Sequence, residues 1–222
     1  MLKLLNADRR EHGLENVRMQ EDLRDVARKH SRDMADKNYF DHVNLKAQSP
    51  ADRLKLGGVS EVISGENLAM IGGYPNATQH AEVGLMNSPG HRANILNPVY
   101  NCVGIGVIQS QNRTYYFTQN FAKRDLVLRK KIPSSVSLAR GLHLRGEAFS
   151  RIEKIYVEVF MIGQSSPVSE KMESIEHSRF DFHISFPERG IYGVRLYAGA
   201  LNSEKFALVN TFKIKVRKGF WW

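Results

Sequence analysis

The chain has 222 residues, 42% of them hydrophobic and 25% charged, with a formal charge of +9 and a pI near 9.7. That is enough chain for one large domain or two ordinary ones with a real core, and the absence of any run of about 20 apolar residues excludes a helical membrane span. The basic residues are scattered among carboxylates and form no aromatic-interleaved stripe, so a specific nucleic-acid partner is not expected; attraction to anionic envelope polymers or lipid surfaces, or plain solubility, suits the charge better.

In chain order, the first element is a charged helix over Leu2 to Glu11, broken at Gly13. The opening Met1-Leu2-Lys3-Leu4-Leu5 meets charge too soon to be a complete export signal, leaving a cytoplasmic protein or one whose leader lies outside this chain. A second helix runs from Glu21 to Lys37: Leu23, Val26, Ala27, His30 and Met34 fall on one stripe at helical spacing, and Arg24, Asp25, Arg28, Arg32 and Asp33 face away. His30 therefore points inward. Ser49-Pro50 caps a short helix stopped by Gly57-Gly58. A further helix is expected over residues 77–86, followed by an Asn87-Ser88-Pro89-Gly90 turn, after which His91 opens a short helical turn. Residues 103–108 and 114–121 read as strands about a polar turn. Cys102, the single cysteine, can form no internal disulfide and reads as a small buried hydrophobe.

Residues 124–135, with Arg129-Lys130-Lys131 and Pro133-Ser134-Ser135, read as a linker between a domain over 1–123 and one over 136–222. The second is all beta. Phe180, Phe182, Ile184 and Phe186 alternate with polar residues, as do Phe212, Ile214 and Val216. With strands near 136–144, 154–161 and 191–198 and turns at 187–190 and Asn202-Ser203, the pattern predicts a small antiparallel sandwich. The terminal Phe220-Trp221-Trp222 is read as cover for a sheet edge.

Three phrases carry the candidate chemistry: Phe40-Asp41-His42, Gly65-Glu66-Asn67-Leu68-Ala69, and Asn87-Ser88-Pro89-Gly90-His91-Arg92-Ala93-Asn94-Ile95-Leu96. Two imidazoles and a carboxylate from separate segments serve a divalent metal such as zinc, or a histidine base oriented by an acid, and the residues alone do not choose. Each also has a structural reading, as a hydrogen-bonding post for a loop. No His-Glu-x-x-His helix and no nucleophile elbow is present, and Ser88 has reason enough to sit in a Ser-Pro-Gly turn. Asn67, Arg92 and Asn94 read as loop ties, His12 and His80 as exposed, and His143, His177 and His183 as lacking ligand spacing.

In these phrases, with Val103-Gly104-Ile105-Gly106-Val107 and Tyr116-Phe117-Thr118-Gln119 following in order, residues 2–122 resemble the CAP superfamily, the SCP-like domain of cysteine-rich secretory, antigen 5 and pathogenesis-related 1 proteins. The fold class implied is α+β: an alpha-beta-alpha sandwich followed by the small all-beta module, which resembles immunoglobulin-like or fibronectin-like domains at the level of fold. The resemblance also implies that His42, Glu66 and His91 line a central cleft, as three metal ligands or as catalytic groups, and that the protein lives outside the cytoplasm, its export signal absent from this chain. Many eukaryotic relatives add a second glutamate after a tryptophan; here Leu85 stands at the tryptophan position and Asn87 or Ser88 at that of the acid, Glu82 lies on the wrong side of Leu85 to take the role, and the motif resembles the shorter bacterial type. Three functions are compatible: an envelope-associated module binding a lipid or cell-wall ligand, with Zn2+ or another divalent cation; a metal-assisted hydrolase in the same cleft; or an adhesive protein with a silent cleft.

Overall fold

A computed structural model describes residues 1–149, 152–200 and 205–219, and the chain divides into two compact units. The first comprises Met1–Val59 and Ile63–Lys123, the second Ser60–Val62 and Arg124 onward.

In the first unit, strands β1 (Arg18–Met19), β2 (Ser64–Ile71), β3 (Cys102–Gln109) and β4 (Tyr115–Ala122) form a sheet in the order β1-β3-β4-β2. Only β1 and β3 run parallel; β2 is an edge strand, antiparallel to β4. Helix α2 (Glu21–Lys37) covers one face. Its buried stripe is the expected one, Leu23, Val26, Ala27, His30 and Met34, with Ser31 added. Two glycines let it sit directly on β3: a Cβ on Gly104 would lie 2.1 Å from the backbone carbon of Leu23, and one on Gly106 2.4 Å from that of Ala27. The opposite side of β3 presents Val103 and Ile105, which pack with Leu5 of α1 (Leu2–Glu11), Leu85 of α4 (Ala77–Asn87) and Ile95 of α5 (Pro89–Ile95). Helices on both faces of the sheet make the alpha-beta-alpha sandwich. Cys102 is fully buried.

Helix α3 (Pro50–Gly57) is held at its start by a reciprocal capping box between Ser49 and Asp52, and ends at Gly58, whose φ of 86° suits glycine. Helix α5 begins at Pro89, so His91 is its third residue and does not open it; proline at the first position costs no hydrogen bond there.

The second unit packs a three-stranded sheet, β10-β7-β5, against a five-stranded one, β6-β12-β11-β8-β9. The strands are β5 (Leu126–Leu128), β6 (Ser135–Ser137), β7 (Leu142–Ala148), β8 (Lys154–Met161), β9 (Ser169–Ser174), β10 (Arg179–Ile184), β11 (Gly190–Gly199) and β12 (Ala207–Arg217). Strict alternation of buried and exposed residues in β7 and β10 sends Leu142, Leu144, Phe180, Phe182 and Ile184 into a core completed by Val157, Val194, Leu196 and Ile214. Three expectations are corrected. The stretch read as linker supplies β5, which pairs with β7; the single strand expected over 136–144 is two, β6 and β7, separated by a turn with Gly141 at φ 58°; and the sandwich is not wholly antiparallel, because β6 runs parallel to β12. Asn202-Ser203 and Phe220-Trp221-Trp222 lie outside the described residues.

Candidate functional site

Period-two alternation along β2 divides the site. Glu66 and Asn67 are neighbours on an edge strand, so their side chains leave from opposite faces of the sheet. Glu66 turns to the side of α2 and α3: its Oε1 lies 2.8 Å from Nδ1 of His42, and its Oε2 accepts from Nη2 of Arg53 at 2.6 Å. Asn120, opposite Glu66 in the strand register, adds its amide nitrogen at 3.1 Å from Oε2. The carboxylate is almost fully enclosed, whereas the His42 side chain is 48% exposed.

Arg53, which the sequence reading passed over, is the second partner of this carboxylate. Besides Glu66 it donates through Nη1 to the carbonyl of His42 at 2.6 Å and to that of Gln48 at 2.9 Å. It thereby holds both the acid and the loop that presents the imidazole. The capping box that fixes the first turn of α3 was legible; the direction in which the arginine points was not.

On the other face Asn67 is fully buried and ties the His91 segment. Its Nδ2 donates to the His91 carbonyl at 3.0 Å and to Oε1 of Gln119 at 3.1 Å, and its Oδ1 accepts from Asn94 at 2.9 Å. Asn67 and Asn94 are loop ties, as expected, and Arg92 instead meets Nε2 of His12 at 2.8 Å. The His91 ring engages Oγ of Ser88 through Nδ1 at 2.9 Å. Both candidate imidazoles are thus fixed through Nδ1, and neither Nε2 has a hydrogen bond among the described contacts.

The rings sit in different electrostatic settings. The hydrogen bond from Glu66 raises the pKa of His42 above its ordinary value, against partial burial. Burial lowers that of His91, and charge on His42 lowers it further, so the two imidazoles sense each other.

A metal held directly by His42, Glu66 and His91 does not fit this arrangement. Both oxygens of Glu66 are committed, one of them to a guanidinium that would repel a dication, and among the described residues no three histidine, cysteine, aspartate or glutamate side chains converge closely enough to hold an ion. The donors that remain are the two Nε2 atoms, with Glu66 behind His42 as the acid that orients it.

Glu82 lies on the Asn67 side of β2, reached through Gln119, which stands opposite Asn67 in the strand register. It is buried on α4, accepting from Nε2 of Gln119 at 3.0 Å, and its other oxygen has no partner. Burial pushes its pKa up to about 7. Gln119 and Asn67 connect it to the His91 carbonyl.

The model of the cysteine-rich secretory protein family, CAP, matches residues 2–121. The chain belongs to the CAP family. Two proteins of Bacillus subtilis (strain 168) are similar to its CAP unit: the uncharacterized protein YkwD, 40% identical over 121 residues (54% of this chain, 45% of that protein), and the uncharacterized membrane protein YlbC, 42% identical over 124 residues (56% and 34%). The chain spans less than half the length of either relative. Among solved structures, an extracellular SCP-domain protein of Bacillus anthracis is 35% identical with a TM-score of 0.49, covering 55% of this chain and 39% of that one. An outer surface protein of Borrelia burgdorferi, 20% identical, covers 55% of this chain and 89% of its own with a TM-score of 0.50, a likeness of fold. No helix among the described residues of this CAP-family chain is long and apolar enough to cross a membrane.

Proposed function

We propose that the protein is an extracytoplasmic binding module whose CAP cleft takes its ligand at the imidazole pair His42 and His91, with a divalent cation, zinc by donor type, as the species those nitrogens suit. The observation that carries this reading is the fixing of both rings through Nδ1, by Glu66 and by Ser88, which leaves two oriented Nε2 donors at a partly exposed surface. His42 and His91 would hold the ion, Glu66 would set the tautomer and angle of His42, and Arg53 would keep Glu66 in place. When bound, such an ion supplies a Lewis-acidic position for an oxygen of a lipid headgroup or cell-wall polymer. Similarity to an extracellular SCP-domain protein and to a surface protein supports a place in the envelope.

The hydrolase alternative is weaker on physical grounds. Ser88 Oγ lies at nucleophile-to-base distance from His91 Nδ1, but among the described residues no carboxylate orients the other nitrogen of that ring, so the third member of the usual arrangement is missing.

Calorimetric titration with zinc at pH 7.5 and pH 5.5 tests the proposal. Affinity is expected to fall in acid, because a protonated imidazole cannot ligate and the Glu66 bond favours protonation of His42. H42A and H91A should each weaken binding by about tenfold or more. Absence of binding at pH 7.5, or unchanged affinity in both variants, would sink the proposal.

A further inference from the structure

Glu82 is 2% exposed, and its one hydrogen bond among the described residues is the one its Oε2 accepts from Nε2 of Gln119 at 3.0 Å. A buried acid held by a single neutral amide calls for an explanation, because burial without full pairing costs stability. The contact does not stop at Gln119, which is itself fully buried on β4. Oε1 of Gln119 accepts from Nδ2 of Asn67 at 3.1 Å, and the same Nδ2 donates to the His91 carbonyl at 3.0 Å. Oδ1 of Asn67 in turn accepts from Nδ2 of Asn94 at 2.9 Å. Glu82 therefore heads a line of three carboxamides that ends on the segment carrying His91.

The polarity of every link follows from the first. A carboxylate only accepts, so it turns the amide nitrogen of Gln119 toward itself and the amide oxygen toward Asn67. That oxygen calls for the nitrogen of Asn67, whose second hydrogen holds the His91 carbonyl, and it leaves Oδ1 of Asn67 for Asn94. The second hydrogen on Nε2 of Gln119 reaches only the weak acceptor Sδ of Met1, at 3.4 Å, which does little to hold the amide this way round without the acid. A protonated carboxyl also donates, and its hydroxyl would bond the oxygen of Gln119 if that amide turned by half a rotation. The turn, passed on to Asn67, would set Oδ1 against the His91 carbonyl, two acceptors face to face, and dissolve the tie. Burial is the main reason that Glu82 resists ionisation; Asp8 of α1 opposes it further, and the Met1 ammonium favours it, while no charge of β2, β4 or α5 bears on it among the described residues.

We propose that Glu82 is a positioning residue for the cleft: as a carboxylate it orients Gln119 and Asn67 and so ties the His91 segment to β2, and by taking up a proton it loosens that tie. The proposal deepens the reading of the cleft as a binding site and rests on it for the use made of His91, whereas the relay is measured without metal. The test is NMR of the Glu82 carboxyl, the side-chain amides of Gln119, Asn67 and Asn94 and the His91 carbonyl in the zinc-free full chain, between about pH 5 and pH 9. The three amides and the His91 carbonyl should shift with the midpoint of the Glu82 titration. E82Q, which keeps the shape but cannot ionise, should abolish that step at all four groups. Q119M, which keeps the acid but cuts the line, should leave Glu82 titrating and Asn67, Asn94 and the His91 carbonyl unmoved by it. The proposal is overturned by amides of Asn67 and Asn94 that ignore the Glu82 midpoint; by a step that persists in E82Q, which would trace it to the imidazoles; or by one that survives in Q119M, which would make it a field effect with no relay. Failure of zinc to bind would sink the metal reading and leave these shifts as they are.

Discussion

Arg53 lies in α3 with most of its surface buried, and its guanidinium joins Glu66 to the backbone of the His42 loop. Removing one partner of an enclosed ion pair leaves the other charge without compensation, which typically costs 3 to 5 kcal/mol. R53A should accordingly lower unfolding free energy by about 3 kcal/mol or more in urea titrations; a loss under about 1 kcal/mol would mean that Glu66 finds other partners. Proton linkage at the two imidazoles has opposite signs. His42 has a raised folded pKa, so the stability it contributes is full below its ordinary value of 6.5 and fades as pH rises through the folded value; His91, with a lowered one, contributes stability above 6.5 that is lost as pH falls. Imidazole NMR should find His42 titrating above His91, and E66Q should bring the two together; the reverse order would contradict the hydrogen-bond pattern. Glu82 offers a third test. Its folded pKa stands near 7 against an ordinary 4.5, so stability should fall as pH rises between those values and level off beyond. E82Q should remove that slope and, at pH 8, raise stability by about 1 to 3 kcal/mol while changing little at pH 4; thermal melts across that range read the difference, and a parallel pair of curves would rule the burial effect out.

At the scale of elements, the seating of α2 on β3 depends on two positions without side chains. A methyl at Gly106 would meet the Ala27 backbone at 2.4 Å, and backbone cannot swing aside as a side-chain tip can. G106A is expected to cost about 3 kcal/mol or more by chemical denaturation, at the upper end of overpacking effects, and near-native stability would show that the helix can lift from the sheet. The helix itself was readable, because its apolar stripe has a period that only a helix places on one face. So were β3, β4 and most strands of the second unit, where alternation is strict. Strand β5 escaped, since Leu126–Leu128 is three residues long and sits beside Arg129-Lys130-Lys131, a composition that reads as connector until its partner β7 is known. Strand β9 escaped because Ser169–Ser174 shows no apolar face of its own. In the site, the identities of His42, Glu66 and His91 were legible from local phrases. The pairing of Glu66 with Arg53 was not, because it depends on a helix 13 positions earlier and on nothing periodic.

At the scale of the whole molecule, charge is unevenly shared. Residues 124–222 hold 17 lysines and arginines against 10 carboxylates, whereas residues 1–123 hold 15 against 13. On β12 the exposed Lys213, Lys215 and Arg217 alternate with buried residues, placing three cations in a row on one sheet face. This suits attraction to an anionic envelope polymer. Replacing all three by glutamate should reduce retention on an anionic matrix at low salt, with the difference vanishing as ionic strength rises; unaltered retention would place the attraction elsewhere. Binding at the cleft is the claim to which the other parts are subordinate, and histidine-resolved nitrogen NMR during zinc addition at pH 7.5 reaches it most directly. The account predicts that the Nε2 signals of His42 and His91 move together while Nδ1 of His42 keeps its bond to Glu66. Zinc shifts confined to other histidines, or ligation through Nδ1 with the Glu66 bond broken, would contradict it.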